Sequence, residues 1–452
     1  MKLLKAVMPV ITAALVVVLG VFVWRNYRLA NPVEEKPEET YVPGNVEFSS
    51  GSQEDEIQVV PDFAEDANLS RINLAFAGDF VCHSGLNTYS LVVDEGTYDY
   101  TKVLAGSTSY IQDASYAVCT LETTLADAAQ YTGYPLSVSP KAVATSLANI
   151  GFDLINTATN HAMDGGKDGL DTTLDTLDAA GLAHVGTYRT QEEKDENQGV
   201  YMAETNGIKI AFIAYTYGLN EDTYVSGADY AVNILFKDPL AENPEVDTDK
   251  VKNDVEYAKS QGADIIVAMM HWGNEYYSSP VDYETELTDT LFTAGVDIIV
   301  GGHAYVPQPM EMRVVTDEDG TSRNCFVVYC LGNYASCFSD KNTNLSAILY
   351  LDIVKDWDNN KTYLEDVSYI PTFMVDLEEY DVYDNEQRYI LWDLHGAIDS
   401  YESGNDLGVI NETLYDALKQ GLEEIHSIFG EEYDYFVKNS TDSDTADTST
   451  AQ

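Results

Sequence analysis

Residues 158–166 read ATNHAMDGG, and this stretch decides the interpretation of the fold. It follows a short apolar run at residues 152–155 and precedes leucines at helical spacing, Leu170, Leu174 and Leu177. This pattern predicts a strand, a tight loop and a helix, with the loop at the strand end where open α/β sheets bind ligands. The Asn can bind a metal ion, and the His that follows it can bind a metal or carry a proton. The alternative is an Asn-His pair that only hydrogen-bonds its own turn.

The same order of strand, polar residue and helix recurs on both sides of this stretch. Predicted strands lie at residues 72–77, 116–121, 152–156, 208–215, 265–270 and 298–300, and predicted helices at 100–112, 166–180, 250–261 and 282–294. Strands that alternate with helices of this length imply a largely parallel sheet with helices on both faces. From residue 310 to 376, strands follow one another, which indicates antiparallel strands that complete a second sheet or extend the edge of the first.

The N-terminus carries a predicted membrane anchor. Residues 6–24 are uncharged and mostly apolar, and as a helix they would span about 28 Å, close to the thickness of a bilayer core. No small-residue cleavage site follows, so an uncleaved single-pass anchor fits better than a signal peptide. We expect residues 1–30 to form a cytoplasmic stub and this anchor, which leaves the main domain on the outer side of the cell membrane.

Composition divides the remainder of the chain. Residues 31–70 are rich in Pro, Gly, Ser and acidic residues, which predicts a flexible acidic linker. Residues 71–380 hold the strand and helix pattern of the predicted main domain. Residues 381–438 are predicted to form two C-terminal helices that pack on this domain, and residues 439–452 to be disordered.

The chain is strongly acidic, with 452 residues and a formal net charge of −52. Such a surface repels nucleic acid and anionic membrane surfaces, so we expect neither as a partner. A hydrophobic content of 45% indicates a folded core. The five cysteines are too irregularly spaced for a disulfide framework or a zinc site. Buried thiols are expected, and one bridge among Cys325, Cys330 and Cys337 is the alternative.

Residues of metal-binding type stand at the ends of the predicted strands. They are Asp79, Glu122, Asn160, His161, His271 and His303. A lone His is more often a structural residue, but three of the chain's seven histidines belong to this set. Because the carboxyl ends of parallel strands meet at one edge of a sheet, we predict a metal site there.

Six short motifs surround these residues in a fixed order. They are AGD at 77–79, TLE at 120–122, TNHAMDGG at 159–166, HWGNEY at 271–276, GHAYVPQP at 302–309 and YCLGNY at 329–334. The set resembles the CapA-like family of capsule and poly-γ-glutamate synthesis proteins, relatives of the calcineurin-like metallophosphoesterases. The resemblance implies a four-layer α/β/β/α sandwich of the metallophosphatase type, and a role in the synthesis or export of an anionic envelope polymer.

The resemblance also implies a ligand set. Related phosphoesterases hold two metal ions, and the residues of one position match Glu122, Asn160, His271 and His303. The other position lacks two expected histidines, because Val81 and Tyr305 stand in their places. We therefore expect one divalent ion (Mn, Zn or Fe), with Asp79 as a further ligand or catalytic carboxylate and His161 as the catalytic acid.

Five residues of the same motifs are predicted to contact the substrate or to support the ligands. They are Asp164, Glu275, Tyr305, Gln308 and Asn333. For Glu275, Gln308 and Asn333 the alternative is a set of hydrogen bonds that only tie loops together.

Two classes of function remain open from the sequence. In the first, the chain is a metal-dependent hydrolase or transferase that acts on a phosphoester or an amide-type bond. In the second, it is a non-catalytic subunit with a degenerate metal site that binds the polymer, its precursor or membrane synthase subunits. The ligand set favours the first class, and Tyr305 favours the second. A phosphatase that scavenges at the cell surface is a third and weaker hypothesis, since it rests on fold analogy alone.

Overall fold

The computed structural model describes residues 60–440, apart from residues 62, 65, 221, 222, 226, 318, 319 and 384–386. The predicted membrane anchor, most of the predicted linker and most of the predicted tail lie outside the described residues, so they stay predictions. Among the helices of the described part, none has both the length and the apolar character needed to cross a membrane.

The described part contains two large sheets and two short strand pairs. The strands are β1 (Leu69–Phe80), β2 (Leu91–Val92), β3 (Thr97–Tyr98), β4 (Tyr116–Leu121), β5 (Thr124–Leu125), β6 (Val138–Ser139), β7 (Leu154–Asn156), β8 (Ala183–Val185), β9 (Tyr201–Thr205), β10 (Ile208–Thr216), β11 (Ile265–His271), β12 (Ile298–Gly302), β13 (Gln308–Thr316), β14 (Ser322–Cys330), β15 (Asn333–Ala335), β16 (Leu345–Asp356), β17 (Lys361–Asp376) and β18 (Tyr389–Asp393).

The helices lie mainly between these strands. They are α1 (Ser84–Tyr89), α2 (Thr101–Leu104), α3 (Thr108–Gln112), α4 (Ala142–Ile150), α5 (Gly166–Ala180), α6 (Gln191–Asn197), α7 (Thr248–Ser260), α8 (Asp282–Ala294), α9 (Leu394–Glu402) and α10 (Glu412–Phe429). Short 3-10 turns occur at Ala105–Ser107, Leu377–Tyr380 and Glu431–Tyr433.

Each large sheet combines a block of parallel strands with antiparallel strands. The first sheet has the order β18-β17-β16-β1-β4-β7-β8, and β15 also pairs with β1. In it, β1, β4, β7 and β8 are parallel, and β16 to β18 are antiparallel additions. The second sheet has the order β13-β14-β12-β11-β10-β9, with β14, β12, β11 and β10 parallel. The late strands therefore do both things that the sequence left open: β13 and β14 join the second sheet, while β16 to β18 extend the first.

Successive side chains of a strand point to opposite faces of its sheet, and the core that each face contacts shows how the sheets are layered. In β1, Leu74 faces a core shared by both sheets, whereas Ala75 faces the cluster that contains α4 and α5. In β10, Phe212 faces the shared core, whereas Ile213 faces the cluster that contains α7 and α8. The layers thus run helices, sheet, sheet, helices, the order that the family resemblance implies.

Most predicted elements lie where the sequence placed them, and the predicted helix ends hold. Both α5 and α8 end at a glycine with positive φ, Gly181 at 81° and Gly295 at 111°. The helix predicted at residues 100–112 is present as a helical stretch from Thr101 to Gln112, in which the 3-10 turn Ala105–Ser107 joins α2 to α3. At this turn Gly106 lies against the backbone of Leu391 in β18, where an added Cβ would be 2.3 Å from the Leu391 oxygen.

The secondary structure predicted for residues 381–438 needs one correction. Both expected helices are present as α9 and α10, but β18 precedes them and pairs with β17 in the first sheet. The described residues belong to one compact unit, so no structural break falls between residues 380 and 381. The strand was missed because its five residues stand directly before a helical pattern.

The five cysteines, all within the described residues, are free thiols. Four of them are buried, which confirms the expected role as small apolar side chains and excludes the alternative bridge among Cys325, Cys330 and Cys337. Burial raises the pKa of the Cys325 thiol to about 12, so this thiol is protonated and unreactive at neutral pH.

Candidate metal centre

The carboxyl ends of strands from both sheets meet at one buried site. Asp79 lies near the end of β1, Glu122 directly after β4, and Asn160 and His161 in the loop after β7. In the second sheet, His271 is the last residue of β11 and His303 directly follows β12. All six side chains are buried. The structure therefore brings together the complete set that the sequence singled out.

His271 stands at the centre of this set. Its Nε2 lies 2.9 Å from Asn160 Oδ1 and 3.7 Å from Glu122 Oε1. Its Nδ1 lies 3.8 Å from Asp79 Oδ1. Its ring centroid is 4.8 Å from that of His303, whose backbone N–H donates a hydrogen bond of 2.6 Å to Asp79 Oδ2. One imidazole thus links residues from four strand ends.

Several polar atoms at this centre have no hydrogen-bond partner within the described part of the chain. They are Asp79 Oδ1, Glu122 Oε2, His271 Nδ1 and His303 Nδ1. Buried polar atoms are normally paired, because leaving one unpaired costs about 1–3 kcal/mol. Glu122, His271 and His303 also offer ligand atoms that all lie within 4.8 Å of one another. These unpaired atoms and this donor set fit a divalent metal ion.

The protonation states of Glu122 and His303 also suit the binding of a divalent metal ion. Burial alone would raise the pKa of Glu122, but His271, His161 and His303 lower it to about 2, so this residue is a carboxylate. Burial lowers the pKa of His303 to about 3, so its imidazole is neutral. Burial raises the pKa of Asp79 to about 7, against the opposite effect of His271. Metal binding requires carboxylate and neutral imidazole ligands, and Glu122 and His303 already have these forms at neutral pH.

His161 stands beside this centre with one nitrogen held and the other facing the ligands. Its Nδ1 contacts Asp164 Oδ2, and its Nε2 lies 3.8 Å from Glu122 Oε1. The backbone N–H of Ser137 also donates to Asp164, at 2.5 Å. Burial alone would lower the pKa of His161, but the hydrogen bond to Asp164 and the charge of Glu122 raise it above its ordinary value. A larger fraction of this imidazole is therefore protonated near neutral pH, as a proton donor requires.

Tyr305 occupies the opposite side of the centre. Its hydroxyl donates a hydrogen bond of 2.9 Å to Glu122 Oε1. Burial and the charge of Glu122 hold the pKa of this phenol well above its usual range. A phenol that stays neutral is a poor metal ligand. Tyr305 therefore does not replace the histidine that the family resemblance places at this position.

The loop that presents His303 and Tyr305 is a strained one. Their φ angles are 87° and 64°, in the left-handed region that residues other than glycine seldom adopt. Gly302 precedes them and packs against Asp79, where an added Cβ would be 2.5 Å from Oδ1. Such strain concentrates at functional sites, and here it points a histidine and a tyrosine into the same cleft.

The remaining predicted residues have different roles. Gln308 donates to the carbonyls of Tyr277 and Ser279, and Asn333 donates to Ser336 and the Thr343 carbonyl. These are the loop-tying contacts that the sequence left as the alternative. Glu275 is exposed to solvent as a residue, although its carboxyl is partly desolvated. This desolvation and the charge of Glu122 raise the pKa of Glu275, so the carboxyl lies within electrostatic range of Glu122.

Sequence analysis missed three residues of the cleft. Asn220 donates to Asp164 Oδ1 at 2.9 Å, and its backbone N–H donates to the Asn160 carbonyl at 3.2 Å. His83 has its pKa lowered to about 4, mainly by burial, and is within range of the charges on Glu122 and His161. Phe338 packs against both His83 and Tyr305, with ring centroids 4.8 Å away in each case. The only available signal was for His83, a histidine that follows the first strand.

The sequence of the chain matches a known protein family. Residues 73–337, more than half of the chain, match the family described as bacterial capsule synthesis protein PGA_cap. The chain belongs to this family. The matched region begins in β1 and ends just after β15, so it contains every residue of the metal-type set.

Curated relatives carry related names. The chain is 31% identical over 211 residues to the PGA biosynthesis protein CapA of Bacillus subtilis (strain 168), which covers 46% of this chain and 49% of the relative. It is 30% identical over 187 residues to the capsule biosynthesis protein CapA of Bacillus anthracis, covering 41% and 40%. The chain thus spans about half or less of the length of these relatives.

Solved structures give weaker matches. The calcineurin-like phosphoesterase YfkN from Bacillus subtilis matches with a TM-score of 0.40 and 13% identity, over 78% of this chain and 98% of that one. The NAD nucleotidase of Haemophilus influenzae also gives a TM-score of 0.40, with 10% identity, over 85% of this chain and 61% of that one. TM-scores of this size support no conclusion about function.

Proposed function

We propose that this chain is a metal-dependent hydrolase or transferase in the synthesis or export of an anionic envelope polymer, of which poly-γ-glutamate is the example in its relatives' names. Membership of the PGA_cap family supports the proposed role with such a polymer. The unpaired ligand atoms at Asp79, Glu122, His271 and His303 support the chemistry, because a bound cation would give these buried polar atoms a partner.

The proposed reaction divides the work between the ion and His161. Glu122, His271 and His303 would hold the ion, with Asn160 and Asp79 beside them. A divalent ion there supplies Lewis-acid polarisation of a phosphoryl or carbonyl oxygen. His161, oriented through Nδ1 by Asp164, donates a proton from Nε2 to the leaving group. Phe338 packs on Tyr305 beside these residues, with ring centroids 4.8 Å apart.

The charge of the chain sets a condition on this function. At a net charge of −52, the surface repels an anionic polymer. Divalent cations that bridge the polymer to the protein would remove this repulsion, so polymer binding is proposed to need them. We also propose that the N-terminal apolar run anchors the protein, so that the described domain lies on the outer side of the cell membrane, beside membrane synthase subunits.

The second candidate function is a non-catalytic subunit that binds the polymer or a synthase through the same cleft. One observation favours it: Tyr305 donates a hydrogen bond to Glu122 at a place where a second metal position would need a histidine. With one metal position only, binding can persist where turnover is lost.

A turnover assay separates these two candidates. The full chain is loaded with Mn²⁺ and incubated with poly-γ-glutamate and, separately, with bis(p-nitrophenyl) phosphate. We expect turnover of one of the two, abolished by EDTA and by His161→Ala but retained by His184→Ala. His184 is a suitable control because it lies in β8 and its Nε2 pairs with Asp178 at 3.4 Å, and neither residue belongs to the cleft. Polymer binding without turnover of either substrate would favour the non-catalytic subunit.

A further inference from the structure

A second group of ligand-type residues lies in the C-terminal part of the chain. His395 is in the first turn of α9, His426 is in the last turn of α10, and Asp434 follows the Glu431–Tyr433 turn. Both histidine Nε2 atoms lie 2.8 Å from the same oxygen, Asp434 Oδ2. Three separate elements thus converge on one carboxylate, and none of them supplies a residue to the cleft.

We propose that His395, His426 and Asp434 form a second divalent transition-metal site, of the zinc type, which fixes the C-terminal segment to α9 and α10. The three ligand atoms lie within 4.8 Å of one another. Two imidazole nitrogens and one carboxylate oxygen are a common zinc ligand set, with water in the fourth position.

The surroundings of Asp434 hold its carboxylate in position. Its side chain is fully buried, and its other oxygen accepts the backbone N–H of Phe436 at 2.8 Å. The Phe436 ring packs on His395 with centroids 4.7 Å apart, which fixes the plane of that imidazole. A carboxylate and an imidazole that are already held lose little conformational entropy when an ion binds.

An ion can also reach the group. The side chains of His395 and His426 are 21% and 18% exposed, so solvent and dissolved ions reach the two imidazoles that contact the buried carboxylate. The ion takes the place of the hydrogens that lie between the nitrogens and the oxygen, and each neutral imidazole changes tautomer, so that its proton moves from Nε2 to Nδ1. No net proton is released by this exchange when both imidazoles start out neutral.

The test is the zinc stoichiometry of the full chain. Elemental analysis after dialysis against Zn²⁺ compares the natural chain with the double variant His395→Gln/His426→Gln. Gln retains an N–H that can donate to Asp434 but is a weak zinc ligand, so the variant keeps the hydrogen bonds and loses the ion. We expect the double variant to bind one equivalent less than the natural chain. The control His184→Gln is expected to match the natural chain.

Failure of this site is distinguishable from failure of the cleft site. In His271→Ala the C-terminal site is intact, so this variant is expected to hold one equivalent of Co²⁺ with visible absorption bands from nitrogen and oxygen ligands. Equal zinc binding by the double variant and the natural chain would overturn the proposal. Absence of any bound Co²⁺ in His271→Ala would also overturn it, whether or not the double variant folds.

Discussion

The two sides of the cleft differ in how completely they are equipped for a metal ion. On the ligand side, formed by Glu122, Asn160, His271 and His303, the ligand atoms of Glu122, His271 and His303 lie within 4.8 Å of one another, and Glu122 is ionised and His303 neutral at neutral pH. On the tyrosine side, the chain has Val81 and Tyr305, an alkyl group and a neutral phenol, at the two positions where the family resemblance places histidines. Glu122 Oε1 belongs to both sides, because it lies 3.7 Å from His271 Nε2 and accepts the Tyr305 hydrogen bond, so the contrast lies in the partners of this carboxylate.

The contrast shows that carboxylates alone are not enough to form a metal-binding site. On the ligand side, Glu122 faces imidazoles that lower its pKa and leave Oε2 unpaired. On the tyrosine side, the same Glu122 accepts a hydrogen bond from the phenol, which satisfies Oε1 without any ion. We therefore propose one metal ion for this cleft, on the ligand side.

The largest effect is expected from removal of the proton donor. His161→Ala should lower turnover by about 10²–10⁴-fold, the usual contribution of a general acid. Its metal content should be unchanged, because the ligand side is intact. Elemental analysis and kcat measured on the same preparation would check this. Loss of metal together with turnover would show that His161 is a ligand, and the division of roles across the cleft would be wrong.

A smaller effect is expected from the residue that orients this donor. Asp164→Asn should lower kcat/KM by about tenfold, as is usual for groups that position a metal-site residue. Asp164 raises the pKa of His161, so its neutralisation lowers that pKa. An acid works only while protonated, so the alkaline limb of the pH profile should move to lower pH. An alkaline limb that stays in place in Asp164→Asn would contradict the assignment of His161.

The tyrosine side can be tested by giving it the missing imidazoles. In the double variant Val81→His/Tyr305→His, we expect metal content to rise from one equivalent of Mn²⁺ at the cleft to two. The single variant Tyr305→His serves as the matched control and should gain less. Unchanged content in the double variant would show that the backbone of this side, and not its side chains, excludes the second ion.

The smallest effect is expected from Tyr305→Phe. It removes one hydrogen bond to a carboxylate, so the free energy of unfolding should fall by about 1–3 kcal/mol. Metal content should be unchanged, since the phenol is not a ligand. Urea unfolding and elemental analysis would check both. A loss of metal in Tyr305→Phe would place the tyrosine among the ligands and remove the difference between the two sides.

The ligand side could be predicted well from the sequence because its residues follow regular strands. A buried strand ends where its apolar run ends, so the positions of Glu122 and His303 at a sheet edge follow from the hydrophobic pattern alone. Residues held by irregular loops gave no such signal. Asn220 lies in a loop after β10, and only the folded chain brings it to Asp164.

The same limit applies to two further details. The 3-10 turn between α2 and α3 contains Gly106, which lies against the backbone of Leu391, a residue far away in sequence. For Gln308 the sequence left substrate contact and loop-tying hydrogen bonds as alternatives, and its amide donates to two loop carbonyls. Two residues that are close together in a sequence motif can point in different directions, because packing in the folded chain determines the orientation of each side chain.

The most direct test of the central claim is the metal content of the cleft. The full chain and its His271→Ala variant are each dialysed against Mn²⁺ and then against buffer, and metal is counted by elemental analysis. The His395→Gln/His426→Gln background is used for both, so that only the cleft can contribute. We predict one equivalent in the chain with His271 and none in the variant. Equal content in both, or no metal in either after trials with Zn²⁺ and Fe²⁺, would contradict the account.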